Sequence, residues 1–437
     1  MSQSLPSTTL VIFGVSGDLA KRKLLPALAE ICQSSDIRAR LDILGISRSQ
    51  ARVEDILPAG AQNLKNQFSL LQMDYALEQE YDKLKQSLDQ SGSQQIIFYF
   101  AVPPEAVLSI VRHLGRAKLN LSQHKLLMEK PFGTDLQSAK ILIEETNRYF
   151  KEEQVYRIDH FLAKEMAQNI TVFLGSNALF RDVWNNQFIE KIEIVAEESL
   201  GIENRGEFYE QTGALRDIVQ SHLLQLTALT IMEPCPDVFD FTMVRRRRLN
   251  ALQKLKIDKT MPRGKAQYAG YGREVNVLKS STETFASVYL KSSDPKWRGV
   301  PIQLTTGKAL SEKLTEIRIY FKKTQSAQTN LLKLRVQPKE AIELELWVKK
   351  PGYEQDLQKL PLDFSYQQHF DHLPDAYEQV IVDAVRSRAN LFASSDEVLA
   401  SWEILQPILK NWDKQTPKIY KSGSAVEQVF KNVYNKS

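Results

Sequence analysis

The chain reads as two domains of different class: an N-terminal α/β domain on a doubly wound parallel sheet, then a larger α+β domain whose sheet is mostly antiparallel. Three observations predict this. The first third of the chain alternates short apolar runs with helix-like stretches, as strands joined by covering helices do. A later region shows strict period-two alternation, which belongs to sheets with one buried face. The 437 residues, 43% hydrophobic and 25% charged, suffice for two or three globular cores.

Taken in order, apolar runs at 10–13, 41–46, 96–102 and 126–128 predict strands. Helix-like stretches at 20–32, 52–68, 78–91, 104–114 and 135–150 separate or follow them. Pro26 lies inside the first stretch and predicts a late start or a kink there. The boundary falls near Val155, giving a nucleotide domain over 1–155 and a second domain over 156–437. Beyond it, 164–174 and 213–232 read as helices and 189–196 as a strand. Leu332, Leu334 and Val336 alternate with Lys333, Arg335 and Gln337. Ile342, Leu344, Leu346 and Val348 alternate with Glu343, Glu345, Trp347 and Lys349.

Charge and cysteine content exclude several classes. The 57 basic and 53 acidic residues leave a formal net charge of only +4, with no global nucleic-acid footprint. No apolar run is long enough to span a bilayer. The opening MSQSLPSTT lacks the basic and apolar regions of a secretion signal. Cys32 and Cys235 are far apart in sequence, which argues against a disulfide framework and for a reducing cytoplasm. His369 and His372 flank Asp371 in HFDH, but the spacing of acidic and histidine residues does not point to a metal site. The arginine run 245–248 reads as the solvated face of a helix, with an anionic partner as the alternative.

Four motifs carry chemistry. VIFGVSGDLA turns from strand to helix on Gly14 and Gly17, with the small Ala20 three residues on. Glycine there admits unusual φ and lets a phosphate approach the backbone, while a small residue lets the helix pack closely. Gly-rich turns of this kind also occur as plain structural turns. Arg48 ends the second strand, where an NAD site would carry an acid for the ribose. An arginine can pair with a 2′-phosphate, with Ser16, Lys21 and Arg22 as further donors, or it can be a solvated loop residue. Third, YRIDHFLAKE places Asp159 beside His160, with Lys164 four residues on. A helix starting near Asp159 would set His160 and Lys164 on one face as a phosphate seat, or would simply be capped by Asp159. Fourth, GALRDIVQSHLLQL carries Asp217 and His222, about 140° apart on an α-helix. His222 is either a core residue or a base oriented by a carboxylate such as Asp159.

The ordered set GVSGDLAKRKLLPAL, EKPFG, RIDHFLAKE, GIENRGEFYEQTGALRDIVQSHLLQ, TETFASV, RGVPIQLTTGKAL, RVQP and LPDAYEQVIVDAV resembles the glucose-6-phosphate dehydrogenase family from about residue 10 to the end. The resemblance implies a Rossmann-like domain followed by a larger α+β domain. It implies oxidation of glucose 6-phosphate to 6-phosphogluconolactone with NADP, the first oxidative step of the pentose phosphate pathway. It gives His222 the role of base for the anomeric hydroxyl, and Asp159 that of the carboxylate orienting it. His160 and Lys164 match phosphate ligands, and Lys130 matches a lysine reaching substrate near the nicotinamide. Glu198 and Asp217 match carboxylates that bond sugar hydroxyls. Lys308 and Lys313 match basic pocket residues, and Gln337 a polar contact nearby. Gly14, Ser16, Gly17, Asp18, Leu19, Arg48 and Lys130 fall to the cofactor. The Lys130–Pro131 bond is a candidate cis peptide. A homodimer or homotetramer is implied, with no metal, nucleic-acid or membrane partner.

The chemistry suits these side chains. As hydride leaves C1, positive charge builds there unless the hydroxyl proton leaves too. An imidazole, with an unperturbed pKa of about 6.5, can take that proton near neutral pH. Some residues depart from the family pattern. Phe161 stands where tyrosine is usual, Ala163 where glycine is common, Ser221 where asparagine is usual and Thr305 where arginine is frequent. Two other readings stay open at this point: an NADP-linked dehydrogenase of another sugar, and a non-catalytic nucleotide-binding relative.

Overall fold

The computed structural model describes residues 5–33, 37, 40–203, 205–325, 328–371, 373–412 and 415–434. The chain divides into two compact units, Met1–Ala163 with Pro374–Val398 and Lys164–Leu373 with Leu399–Ser437.

The first unit holds β1 (Thr8–Phe13), β2 (Leu41–Ser47), β3 (Phe68–Gln72), β4 (Gln95–Phe100), β5 (His124–Met128) and β6 (Val155–Ile158). They are parallel, in the spatial order β6-β5-β4-β1-β2-β3, and the short strand Phe392–Ala393 adds antiparallel at β6. β1 and β4 are buried along their whole length, as a sheet covered on both faces requires. The order reverses between β4 and β1, so their carboxyl ends form the topological switch point. Residues Ala20–Leu24 form a π turn, and regular α-helix begins only at Leu25. Pro26 sits in the first turn of Leu25–Ile31, where its missing N–H is harmless, so the late start that proline predicts is observed. The stretch 52–68 is two short pieces, Val53–Ile56 and a 3₁₀ run Ala59–Gln67, ahead of a strand its sequence did not signal.

The unit boundary differs from the expected one near Val155. That residue opens β6, which belongs to the first sheet, and a late segment joins the same unit. Helix Ala376–Val385 buries Val380, Ile381 and Ala384 in one core with Leu24 and Leu28. The Lys125 ammonium on β5 donates to Ala384 O at 2.6 Å and to Ser387 Oγ at 2.7 Å. It thereby ties down a helix end whose carbonyls lack intrahelical partners. Burial lowers this amine to about 8.

The second unit is built on β7 (Ile189–Glu197), β8 (Leu255–Ile257), β9 (Gly264–Tyr268), β10 (Phe285–Ser292), β11 (Ile302–Gly307), β12 (Leu314–Phe321), β13 (Leu331–Gln337), β14 (Ala341–Lys349) and β15 (Leu357–Ser365). The order is β15-β14-β13-β12-β7-β11-β10-β9, then Lys418–Tyr420, with β8 paired to β10. Most pairs are antiparallel; β7 with β11, and β9 with Lys418–Tyr420, are parallel. Leu332, Leu334 and Val336 are fully buried, as their alternation predicts. On β14 burial fades, and Leu346 and Val348 are 36% and 37% exposed. Opposite them Leu360 is exposed, as is Leu362 facing Leu344. The alternating face is therefore only partly covered within one chain.

The predicted helix 213–232 is in fact three pieces: Gly206–Ala214, a π turn Leu215–Leu223 and Leu224–Ile231. Two buried indoles anchor its far end. Trp184 Nε1 donates to Thr230 O at 2.8 Å and Trp297 Nε1 to Ile231 O at 2.7 Å. The arginine run 245–248 lies on helix Phe241–Gln253 but is not a solvated face. Arg248 is buried, and Arg247 donates to the carbonyls of Glu233 and Pro234. Cys32 and Cys235 are both buried and neither is in a disulfide.

Candidate active site

In the first unit the sequence-predicted residues collect at the carboxyl ends of the parallel strands, where open α/β sheets bind ligands. Gly14 follows β1 at φ +80°, and a Cβ there would lie 2.3 Å from Ala101 O, just past β4. The close approach at the switch point therefore requires glycine. Gly17 N–H donates to Gly14 O at 2.9 Å, and Lys21 N–H to Gly17 O at 3.1 Å, closing the turn into the helix. Ser16 and Asp18 are exposed and Leu19 half-buried, while Ala20 is fully buried. Asp18 is not an open acid: it pairs with Arg22 at 2.7 Å, exposed to solvent. Arg48 follows β2, exposed, with its guanidinium 5.9 Å from the Tyr75 ring centroid.

Lys130 and Asp159 follow the neighbouring strands β5 and β6, registered with Met128 opposite Arg157. The Lys130–Pro131 peptide is cis. Glu129 accepts from the Tyr99 phenol at 2.5 Å; desolvation raises its carboxyl, against the pull of Tyr99 and Lys130. Asp159 is 2% exposed, and its Oδ1 accepts the Phe161 N–H at 3.0 Å. That bond makes a turn rather than a helix. The helix begins only at Glu165, with Lys164 extended at its cap, so the expectation that His160 and Lys164 share one helical face is not met. The self-bonding aspartate competes with the helix, as short polar side chains do. His160 packs beside Phe161, ring centroids 5.2 Å apart. Phe161 is itself buried.

In the second unit Glu198 and Lys308 follow the parallel strands β7 and β11, registered with Glu197 opposite Gly307. The topology alone brings them together, and they form an ion pair in which Lys308 is 3% exposed and Glu198 36%. Tyr209 supports this pair, with Lys308 Nζ 5.1 Å from its ring centroid. Asp217 and His222 lie on the π turn Leu215–Leu223, which packs on β7, β10 and β11. A π turn repeats at i+5, so residues five apart return to nearly one face; the 140° splay of an α-helix does not apply. Asp217 is half-buried and His222 is 1% exposed. Glu283 fastens the start of the turn by accepting the Leu215 N–H at 2.9 Å.

The remaining candidates are dispersed within this unit. Lys164 lies near Glu340, whose carboxylate accepts the Met166 N–H and is raised by burial. Lys313 is exposed and lines a hollow of about 560 Å³ with Arg318, Arg335 and Glu316. Gln337 donates to Thr315 Oγ1 at 3.0 Å and precedes a second cis proline. Sequence reasoning passed over Glu129, Tyr99 and Tyr209, because burial and strand adjacency leave no trace in a motif. His372 of HFDH lies outside the described residues. Among the described residues, no group of three or more His, Cys, Asp or Glu could hold a metal ion. No described helix is long and apolar enough to cross a membrane.

Residues 11–169 match the family model "Glucose-6-phosphate dehydrogenase, NAD binding domain" and residues 171–437 match "Glucose-6-phosphate dehydrogenase, C-terminal domain". The glucose-6-phosphate 1-dehydrogenase of Chlamydia muridarum is 33% identical, covering 94% of this chain and 92% of its own. The cytoplasmic isoform of that enzyme from Solanum tuberosum is 34% identical, covering 97% and 91%. A solved glucose-6-phosphate dehydrogenase in complex with its substrate glucose-6-phosphate superposes with a TM-score of 0.89 at 31% identity, over 100% of both chains. The Mycobacterium avium glucose-6-phosphate 1-dehydrogenase structure gives 0.85 at 28% identity, over 96% of this chain and 95% of that one.

Proposed function

The chain belongs to the glucose-6-phosphate dehydrogenase family, and from that premise we propose that it oxidises glucose 6-phosphate to 6-phosphogluconolactone with NADP, the first oxidative step of the pentose phosphate pathway. The observation that carries this reading is full-length similarity to a dehydrogenase solved with that sugar phosphate, on a chain whose glycine turn and Glu198–Lys308 pair stand at strand ends.

The turn at Gly14 fits a pyrophosphate: a side chain there would fill the space beside Ala101, and the following turn offers N–H groups to an anion. Gly14, Ser16, Gly17, Asp18, Leu19 and Lys130 would hold the cofactor, and Arg48 favours NADP over NAD. When bound, that group supplies the hydride acceptor. His222 takes the proton of the C1 hydroxyl on an imidazole nitrogen, which prevents charge from building at C1. Asp159 stabilises the imidazolium that results. Glu198 and Asp217 accept hydrogen bonds from ring hydroxyls, and Lys308 keeps Glu198 aligned. His160 and Lys164 bind the phosphate, whose interaction energy orients the ring. Lys313 and Gln337 complete the substrate contacts.

A cytoplasmic homodimer or homotetramer belongs to the same reading. Two buried cysteines outside any disulfide support the compartment. The partly covered apolar stripe of Leu344, Leu346, Leu360 and Leu362 supports a second copy as its cover.

The test is NADPH formation with glucose 6-phosphate, glucose, or neither. We expect kcat/KM for glucose to fall at least about 10–100-fold below that for the phosphorylated sugar, since charge-assisted bonds contribute about 1.5–3 kcal/mol. Equal use of both sugars would point to a different dehydrogenase. No turnover would point to a non-catalytic relative.

A further inference from the structure

Tyr209 carries a feature that the reaction as described does not use. The residue is 2% exposed, yet its hydroxyl has no hydrogen-bond partner among the described residues. Buried polar groups are nearly always bonded, so an orphan calls for an explanation. Packing alone does not supply one. Tyr209 sits in an apolar cluster with Ile202, Phe285 and Tyr271, its ring 6.2 Å from that of Tyr271 at a steep angle, and phenylalanine would fill this space equally well. The hydroxyl is the unexplained part.

Its neighbours suggest a use. The ring lies 5.1 Å from Lys308 Nζ, and Lys308 is paired with Glu198. Burial raises the phenol well above its ordinary value, with the negative charges of Asp217, Glu283 and Glu198 acting in the same direction. The group therefore keeps its proton and is a donor. The surrounding carboxylates disfavour an anionic acceptor and suit a neutral one. A sugar hydroxyl fits: its oxygen can accept from the phenol while its hydrogen goes to a carboxylate.

Resting on the proposed function, we infer that Tyr209 is a further substrate-positioning residue, whose ring holds Lys308 against Glu198 and whose hydroxyl donates to one ring hydroxyl of glucose 6-phosphate.

Tyr209→Phe removes only the oxygen. A neutral hydrogen bond lost on binding should raise KM for glucose 6-phosphate by about 3–10-fold, with kcat changed less than about twofold. KM for NADP should hold, and Tm should stay level or rise, because the substitution leaves no buried donor unmet. Deoxyglucose 6-phosphates, each lacking one ring hydroxyl, identify the partner. The variant-to-wild-type KM ratio should return to about one for a single deoxy sugar, whose missing hydroxyl is the bonded one. An unchanged KM for the parent sugar overturns the inference. So does the same ratio for every deoxy sugar, or a KM rise that comes with a fall in Tm, which marks a structural role. If the wild-type chain does not turn over glucose 6-phosphate, the proposed function fails first and this inference with it. If it does, the Tyr209→Phe result tests the inference alone.

Discussion

Arg48 makes the choice of cofactor a question about one guanidinium. It stands exposed just past β2, stacked near Tyr75, where a 2′-phosphate could take two bonds. Arg48→Ala should cut kcat/KM for NADP by about 10–100-fold, from charged hydrogen bonds of about 1.5–3 kcal/mol. NAD lacks that phosphate, so its kcat/KM should change little. An unchanged NADP-to-NAD ratio would leave Arg48 a loop residue and pass the selection to Ser16, Lys21 and Arg22. His222 poses the matching question for chemistry. It is 1% exposed on a turn fastened by Glu283, so its ring is held rather than mobile. His222→Asn should keep substrate and NADP binding but lose about 10²–10⁴-fold in kcat, the span for a positioned base. Binding titration and turnover on one preparation check this, and near-normal kcat would remove His222 from the mechanism.

The element that positions His222 was the least legible part of the sequence. Apolar periodicity marked 213–232 as helical, and it is, but not as an α-helix. Gly213 breaks it at φ +65°, ψ 178°, a region reserved for glycine, and the chain then winds as a π turn. No periodicity reports that change, because apolar positions suit either winding. Glycine was the visible trace. A Cβ at Gly213 would lie 2.6 Å from Glu283 Oε1, the atom that accepts the Leu215 N–H. Gly213→Ala should therefore cost at least about 1–3 kcal/mol in backbone strain. It should also lower kcat, because Glu283 must move off the turn carrying Asp217 and His222. Urea unfolding and turnover of the same sample read both; full stability would mean the backbone relaxes elsewhere. Other elements were legible for plain reasons. β1 and β4 are buried on both faces, and so give continuous apolar runs. β3 and β6 are four or five residues long and were not resolved from their flanks. At the site, residues joined by a motif could be read, whereas Glu198 and Lys308 meet only because β7 and β11 are parallel neighbours 110 positions apart.

Over the whole molecule, the same strand adjacency that brings Glu198 to Lys308 places a carboxylate at risk. Glu197 ends β7, one residue before Glu198, and is 1% exposed with Oε2 unbonded among the described residues. Burial, then repulsion from Glu312 and Glu427, raises its pKa to about 7, with Arg318 pulling down and Glu316 adding to the rise. In the unfolded chain a glutamate titrates at about 4.3. The folded chain thus binds this proton more tightly than the unfolded one. Its contribution is complete below the unfolded value and is lost as pH rises through about 7. Asp383, raised to about 6 mainly by burial, acts in the same sense in the first unit. Glu197→Gln cannot ionise and keeps the shape. Relative to the wild-type chain, the glutamine variant should gain stability as pH rises from about 4.3 to about 7, by about 1–3 kcal/mol in all, and the difference should level off above that. Taking the difference at each pH cancels Asp383 and every other group common to both chains. Urea unfolding across that range is the measurement. A difference that stays flat would mean Glu197 is solvated on the folded chain and titrates as an ordinary surface acid. A rising one would mean the chain keeps a neutral carboxyl packed next to Glu198, and gives up some stability near neutral pH to hold the Glu198–Lys308 pair at the strand ends.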